Sequence, residues 1–121
     1  MIIIEELAVN LGNAIDNGLP GAEIQWKMAS SDRRTKTYPR QRREDSRLSA
    51  VLILLYPVND TPTTVFIQRP LYDGVHSGQI GFPGGKMEEG DNTLTGTALR
   101  EACEETGICS DDVFVIGSLT P

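Results

Sequence analysis

Apolar side chains recur at Ile3, Leu7, Leu11 and Ile15, four residues apart, with Ala8 and Ala14 nearby. That spacing draws an apolar stripe along one helical face and predicts an amphipathic helix over residues 3–16, stopped by Gly18-Leu19-Pro20-Gly21. From Ser31 to Asp45 the chain is polar, has no period and contains Pro39, which predicts a loop or extended arm. Leu48 to Tyr56 is short and almost wholly apolar, the pattern of a buried strand, and Pro57-Val58-Asn59-Asp60 predicts a hairpin-like connection after it. Thr64 to Gln68 predicts a second strand, following the turn residues Asp60, Thr61 and Pro62. Residues 74–85 hold five glycines and one proline, so a shaped loop is expected there, with an extended piece around Gln79 to Phe82. Leu94 to Thr106 has helical character, with Asn92 or Thr93 placed to cap its start and Gly107 its end. Val113 to Leu119 predicts a further strand. No internal repeat or low-complexity stretch interrupts this order.

The length of 121 residues with 39% hydrophobic content suits one domain with a modest core and excludes two independent enzymatic domains. The net charge of −6 hides three blocks of different sign. Residues 1–26 carry four acids and no base. Residues 27–47 hold eight of the eleven bases, namely Lys27, Arg33, Arg34, Lys36, Arg40, Arg42, Arg43 and Arg47. Residues 48–121 have ten acids against Arg69, Lys86 and Arg100, and six of those acids lie between Glu88 and Glu105. The basic block reads as a nucleic-acid patch, a polyphosphate grip or a solvated linker, and its lack of interleaved aromatics beyond Tyr38 favours the linker. With an acidic chain overall, a nucleic-acid partner is not expected.

No apolar run approaches the roughly 20 residues that span a bilayer, and Ile2-Ile3-Ile4 ends at Glu5-Glu6. The expectation is a soluble cytoplasmic protein without signal peptide or membrane contact. Cys103 and Cys109 form no evenly spread framework and no C-x-x-C pair, so free thiols are expected.

Candidate chemistry concentrates in the last helix. Glu101, Glu104 and Glu105 stand three and four residues apart, so their carboxylates share one face. Left alone they repel; a hard divalent cation among them reverses the sign of that energy. Acids on a helix ordinarily form only a solvated face, so the neighbouring pattern must add to the case. Upstream, Phe82-Pro83-Gly84-Gly85-Lys86 offers a backbone free of bulk that can approach a phosphate or present a carbonyl to a metal. The Walker A spacing is absent, which excludes a P-loop.

Gly85, Asp91 and Arg100-Glu101-x-x-Glu104-Glu105-x-Gly107-Ile108 together resemble the Nudix box, G-x5-E-x7-R-E-U-x-E-E-x-G-U. Asp91 stands where Glu is usual, one extra residue separates it from Arg100, and Ala102 is small for its apolar slot. The first two departures are shared by the coenzyme A pyrophosphatase-like branch of that family. Arg69, His76, Gly78-Gln79 and Phe82-Pro83-Gly84-Gly85 also fall at the spacings of that branch's second signature, whereas Pro70, Gly74 and Val65-Phe66-Ile67 depart from it.

The resemblance implies an α/β protein, a Nudix-type α/β/α sandwich with a mixed sheet, whose C-terminal part this sequence is expected to lack. It would comprise an N-terminal helix and basic arm over residues 1–45 and the Nudix domain over 46–121. It further implies metal-dependent hydrolysis of a diphosphate linkage in coenzyme A or a related nucleoside diphosphate derivative, with Mg²⁺ or Mn²⁺. Glu101, Glu104, Glu105 and the Gly85 carbonyl would be metal ligands, and Glu101 could instead be the base. Glu101, Glu104 and Arg100 form the catalytic set, with Arg100 holding a box carboxylate in place. Arg69, Lys86 and His76 are the candidate contacts to a small nucleotide-type substrate. A homodimer is compatible with this reading, and so is a Nudix-fold nucleotide-binding or regulatory module without hydrolysis.

Overall fold

A computed structural model describes residues 3–31, 46–74 and 76–120. The elements run α1 (Ile4–Asp16), α2 (Ala22–Lys27), β1 (Ser49–Val51), β2 (Leu55–Val58), β3 (Thr61–Thr64), β4 (Ile67–Gln68), β5 (Ile80–Gly81), β6 (Gly84–Lys86) and α3 (Leu94–Thr106), with a 3-10 turn at Ser110–Asp112. The α/β content matches the expected class. The strands, however, form three separate antiparallel pairs, β1–β6, β2–β3 and β4–β5, in place of one mixed sheet. The chain divides into two compact units, Met1–Leu7 with Arg47–Val115 and Ala8–Ser46 with Ile116–Pro121.

In the larger unit the apolar run from Leu48 to Tyr56 is two strands, not one. Ser49–Val51 pairs with β6, and after Leu52–Leu54 the chain changes partner, so Leu55–Val58 pairs with β3. Of this run only Leu54 is buried, and Val51 and Ile53 stay exposed. The β2–β3 hairpin turns at Asn59-Asp60, both at positive φ (49° and 61°), the two-residue turn whose twist suits antiparallel strands. Pro57 faces Pro62 across it. One position before the closing pair, neither needs a donor, which is where an antiparallel ladder tolerates proline. The second strand expected at residues 64–68 is displaced to β3 and β4. The short extended piece expected near residue 80 is β5.

Helix α3 begins and ends where its side chains dictate. Thr93 Oγ1 accepts the Gly96 N–H at 3.0 Å, and Gly107, at φ 77°, turns the chain left-handed while donating to the Cys103 carbonyl. Thr97, Ala98 and Ala102 are buried as α3 packs on β1 and β6. Small residues here let helix and strand backbones come close. The left-handed turn at Gly107 also carries Cys109 back to Cys103, at 4.4 Å between Cα atoms, and the two form a disulfide. The expectation of free thiols is therefore corrected: spacing alone ignored the reversal that Gly107 imposes.

Helix α1, which belongs to the smaller unit from Ala8 onward, keeps Leu11 and Ile15 half-buried, yet none of its residues is fully buried. Helix α2 was not foreseen in the sequence. Residues 113–119 form no strand among the described residues. Those from 116 onward instead run beside the helices, with Gly117 against Ile15 and the Thr120 carbonyl accepting the Gln25 amide at 2.9 Å. The apolar run there has no ladder partner among the described residues. The expected arm at residues 31–45 lies, beyond Ser31, outside the described residues, as does most of the basic block. Among the described residues no helix is long and apolar enough to cross a membrane.

Candidate active site

Among the described residues strand β6 pairs only with β1, and no strand lies along its second edge. The ladder bonds flanking the pair, Leu52 N–H to Pro83 O and Met87 N–H to Leu48 O, make Ala50–Gly85 the mutually bonded pair by alternation. Gly84 N–H and Lys86 C=O consequently point to that second edge. Both are taken up by α3: Glu105 Oε2 accepts the Gly84 N–H at 2.9 Å, and Arg100 donates to the Lys86 carbonyl at 3.0 Å. The ladder already uses one lone pair of the Gly85 carbonyl, which leaves one for a ligand. A side chain at Gly84 would run into the Ala50 carbonyl and Val51, and one at Gly85 into the Glu101 carboxylate. Gly84 is thus demanded by the close approach of the β1 backbone, while at Gly85 the neighbour is the end of the Glu101 side chain.

Arg100 is the hub. Its Nε and one terminal nitrogen grip Asp91 through both carboxylate oxygens (3.0 and 2.9 Å). The same terminal nitrogen takes the Lys86 carbonyl, and the other donates to Glu101 Oε1 at 3.0 Å and Glu104 Oε1 at 3.3 Å. Those bonds employ all five guanidinium donors, so none is left for a substrate phosphate. Asp91 is heavily committed as well. Besides Arg100 it accepts the Glu88 N–H and the Thr97 hydroxyl, each at 3.0 Å. Three of its four bonds fall on Oδ2 and one on Oδ1, which leaves a single Oδ1 lone pair. Arg100 above all, then the Glu88 N–H, holds the Asp91 carboxyl well below the usual carboxylate range against the opposing effect of desolvation, with Thr97 adding to the depression. Asp91 in turn pushes the Arg100 guanidinium above its ordinary value, with Glu101 and Glu104 contributing.

The three glutamates are brought to one side. Glu101 and Glu104 converge on a single Arg100 nitrogen, and Glu105 sits at the Gly84 end of β6. Glu101 is largely covered (side chain 17% exposed), whereas Glu104 is 60% exposed. Among the described residues no three His, Cys, Asp or Glu side chains already form a metal cage. The donor set nevertheless fits a hard divalent ion: two carboxylate oxygens meet at a cationic nitrogen, and a third carboxylate and a carbonyl lie along the adjacent strand.

The substrate candidates separate. Arg69, Glu105, Ile67, Gln68, Pro70 and Tyr72 line one open hollow of about 310 Å³. Arg69 and a predicted metal ligand therefore share a surface. Lys86 is exposed and contributes its carbonyl to Arg100; His76, at φ 70°, has Nδ1 2.9 Å from Gln79 Oε1 in an exposed loop. Neither lines the hollow. Thr97, the Glu88 N–H and Tyr72 were not singled out from sequence; for Thr97, a lone hydroxyl on the core face one turn before Arg100 was the available signal.

Residues 46–121 match the family model of the NUDIX domain. The chain is 42% identical over 76 residues to the "Uncharacterized Nudix hydrolase NudL" of Yersinia pestis (strain Pestoides F), covering 63% of this chain and 38% of that relative. The protein of the same description from Yersinia pseudotuberculosis serotype O:1b (strain IP 31758) shows the same identity and coverage. The chain thus spans 38% of the length of these curated relatives. No solved structure matches it.

Proposed function

From the membership of this chain in the Nudix family, shown by the match over residues 46–121, we propose that it serves a hydrolase that cleaves a diphosphate linkage in coenzyme A or a related nucleoside diphosphate derivative, with Mg²⁺ or Mn²⁺. The observation that carries this reading is the convergence of Glu101 and Glu104 on one Arg100 nitrogen beside the Gly84–Gly85 edge that Glu105 already touches.

Glu104, Glu105 and the Gly85 carbonyl would hold the ion, with Glu101 a further ligand where it does not serve as the base. Bound there, a divalent cation supplies charge neutralisation at the diphosphate oxygens and acidifies a bound water. The residues of the chain do the rest. Arg100, saturated with bonds, fixes the orientation of Glu101 and Glu104 and is a positioning residue. Glu101, the better covered of the pair, accepts the proton of the attacking water at its carboxylate. Arg69, Lys86 and His76 supply positive or hydrogen-bonding groups for the substrate, Arg69 from the wall of the hollow.

Product analysis on coenzyme A, ADP-ribose, dinucleoside polyphosphates and nucleoside triphosphates, with Mg²⁺ or Mn²⁺, tests the proposal. The expected result is cleavage within a diphosphate that vanishes with the metal and in Glu104→Gln. Unchanged turnover in that variant sinks the assignment of the site, and tight nucleotide binding without product selects the binding-module reading.

A further inference from the structure

Hydrogen bonds beyond the β4–β5 ladder tie together the described residues between Arg69 and Gln79. Arg69 N–H donates to the Gln79 carbonyl at 2.9 Å, Gly78 N–H to the Pro70 carbonyl at 3.3 Å, and Tyr72 N–H to the Ser77 hydroxyl at 2.9 Å. Tyr72 is thereby fixed in position by its own backbone. Its ring lies on Gly74, where an added Cβ would stand 2.8 Å from Tyr72 Cε2 and 3.1 Å from Cδ2. Gly74 thus gives the ring its seat, and the ring, 48% exposed, forms one wall of the hollow that also contains Arg69 and Glu105.

Three chemistries meet in that hollow. Tyr72, Pro70 and Ile67 give flat or apolar surface, Arg69 a cation, and Glu105 one of the carboxylates assigned to the metal. A volume of about 310 Å³ is at the small end for a ligand site and suits one ring system with its link, not a whole dinucleotide. Resting on the hydrolase reading above, we propose that Tyr72 is the specificity-determining contact of this site, its ring stacking the nucleobase of the substrate while the phosphates run past Arg69 toward Glu105. An aromatic face accepts any base, so the residue selects for the presence of a base and not for its identity. The held ring also lowers the ordering cost of binding.

The test uses the full chain with Mg²⁺, reading kcat and KM for ADP-ribose and for a diphosphate ester lacking a base, and equilibrium binding of ADP. Tyr72→Ala should raise KM for ADP-ribose and weaken ADP on the order of tenfold at unchanged kcat, with the base-free ester unaffected. Tyr72→Phe, which keeps the stacking face, should stay within about twofold of the unaltered chain. Equal losses on both substrates, no loss on either, or no ADP binding by the unaltered chain overturns the proposal. Turnover that ignores Tyr72 defeats this inference and leaves the hydrolase reading standing. Conversely, ADP binding that depends on Tyr72 with no product from any diphosphate supports the inference and defeats the hydrolase reading.

Discussion

Helices α1 and α3 are each 13 residues long, and they use their sequences in opposite ways. Helix α1 has the cleaner apolar stripe, yet buries no residue completely; α3 has a mixed surface of threonines, alanines and glutamates, and buries Thr97, Ala98 and Ala102. The difference lies in what each helix meets. A helix that packs on strand backbones needs small residues on the contact face, and its polar groups can then reach the strand edge, as Arg100 and Glu105 do. Amphipathic strength predicts that a helix forms. Close approach predicts where it can do chemistry.

The sharpest way to break the contrast is to remove the hub of α3. Arg100→Lys keeps the charge but offers three donors in place of five and cannot grip Asp91 bidentately. Turnover should fall about 10–100-fold, as for loss of a group that orients metal ligands, with a small change in KM; a near-unchanged kcat would show that the glutamates are positioned without it. The pH dependence follows from the same pair. Asp91 is depressed below its ordinary 3.8, so its contribution to stability is complete above that value and is lost as pH falls below it toward the depressed value. Arg100 is raised, so its contribution is complete throughout the pH range below the ordinary guanidinium value. Thermal melts of the native chain should show this pair contributing constantly from about pH 5 to 9, with Asp91→Asn removing acid sensitivity below pH 4.

How much of this was legible in the sequence depends on whether the signal was local. The limits of α3 were, because Thr93 and Gly107 act on backbone groups within a few residues of themselves. The reversal at Asn59-Asp60 was too. Strand pairing was not: residues 48–56 read as one apolar segment, and nothing within them says that the chain changes partner after Val51. The glutamate trio was visible from helical spacing. The saturation of Arg100 was not, since two groups that complete its cluster, the Lys86 carbonyl on Arg100 and the Glu88 N–H on Asp91, are backbone atoms whose directions depend on the fold. Ala102 looked like a weak match to its slot until packing gave its size a purpose.

The disulfide sharpens the comparison at the C-terminal end of α3, for which α1 has no counterpart. Closing the short loop from Cys103 to Cys109 should contribute about 2 kcal/mol through the unfolded chain. Urea unfolding with and without a dithiol reductant measures it, and equal midpoints would show that the bond adds nothing. Glu104 and Glu105 lie inside this loop, so reduction should also loosen metal binding, read as a lower affinity for Mn²⁺.

The smallest effects compare the two helices directly. Thr93→Ala removes the hydroxyl that accepts the Gly96 N–H, and with it the start of a helix whose first turn sets Thr97 against Asp91. A cost of about 1 kcal/mol is expected, the ordinary value for an N-cap. On α1, Val9 is 63% exposed although it belongs to an apolar-rich segment. Val9→Ser should change stability by less than about 0.5 kcal/mol, the usual range for a surface site. Denaturant midpoints at constant slope decide between the two. If Val9→Ser proved the costlier change, the face of α1 opposite its apolar stripe would be covering something that its exposure does not show, and the division of labour drawn between the helices would fail at its weaker side.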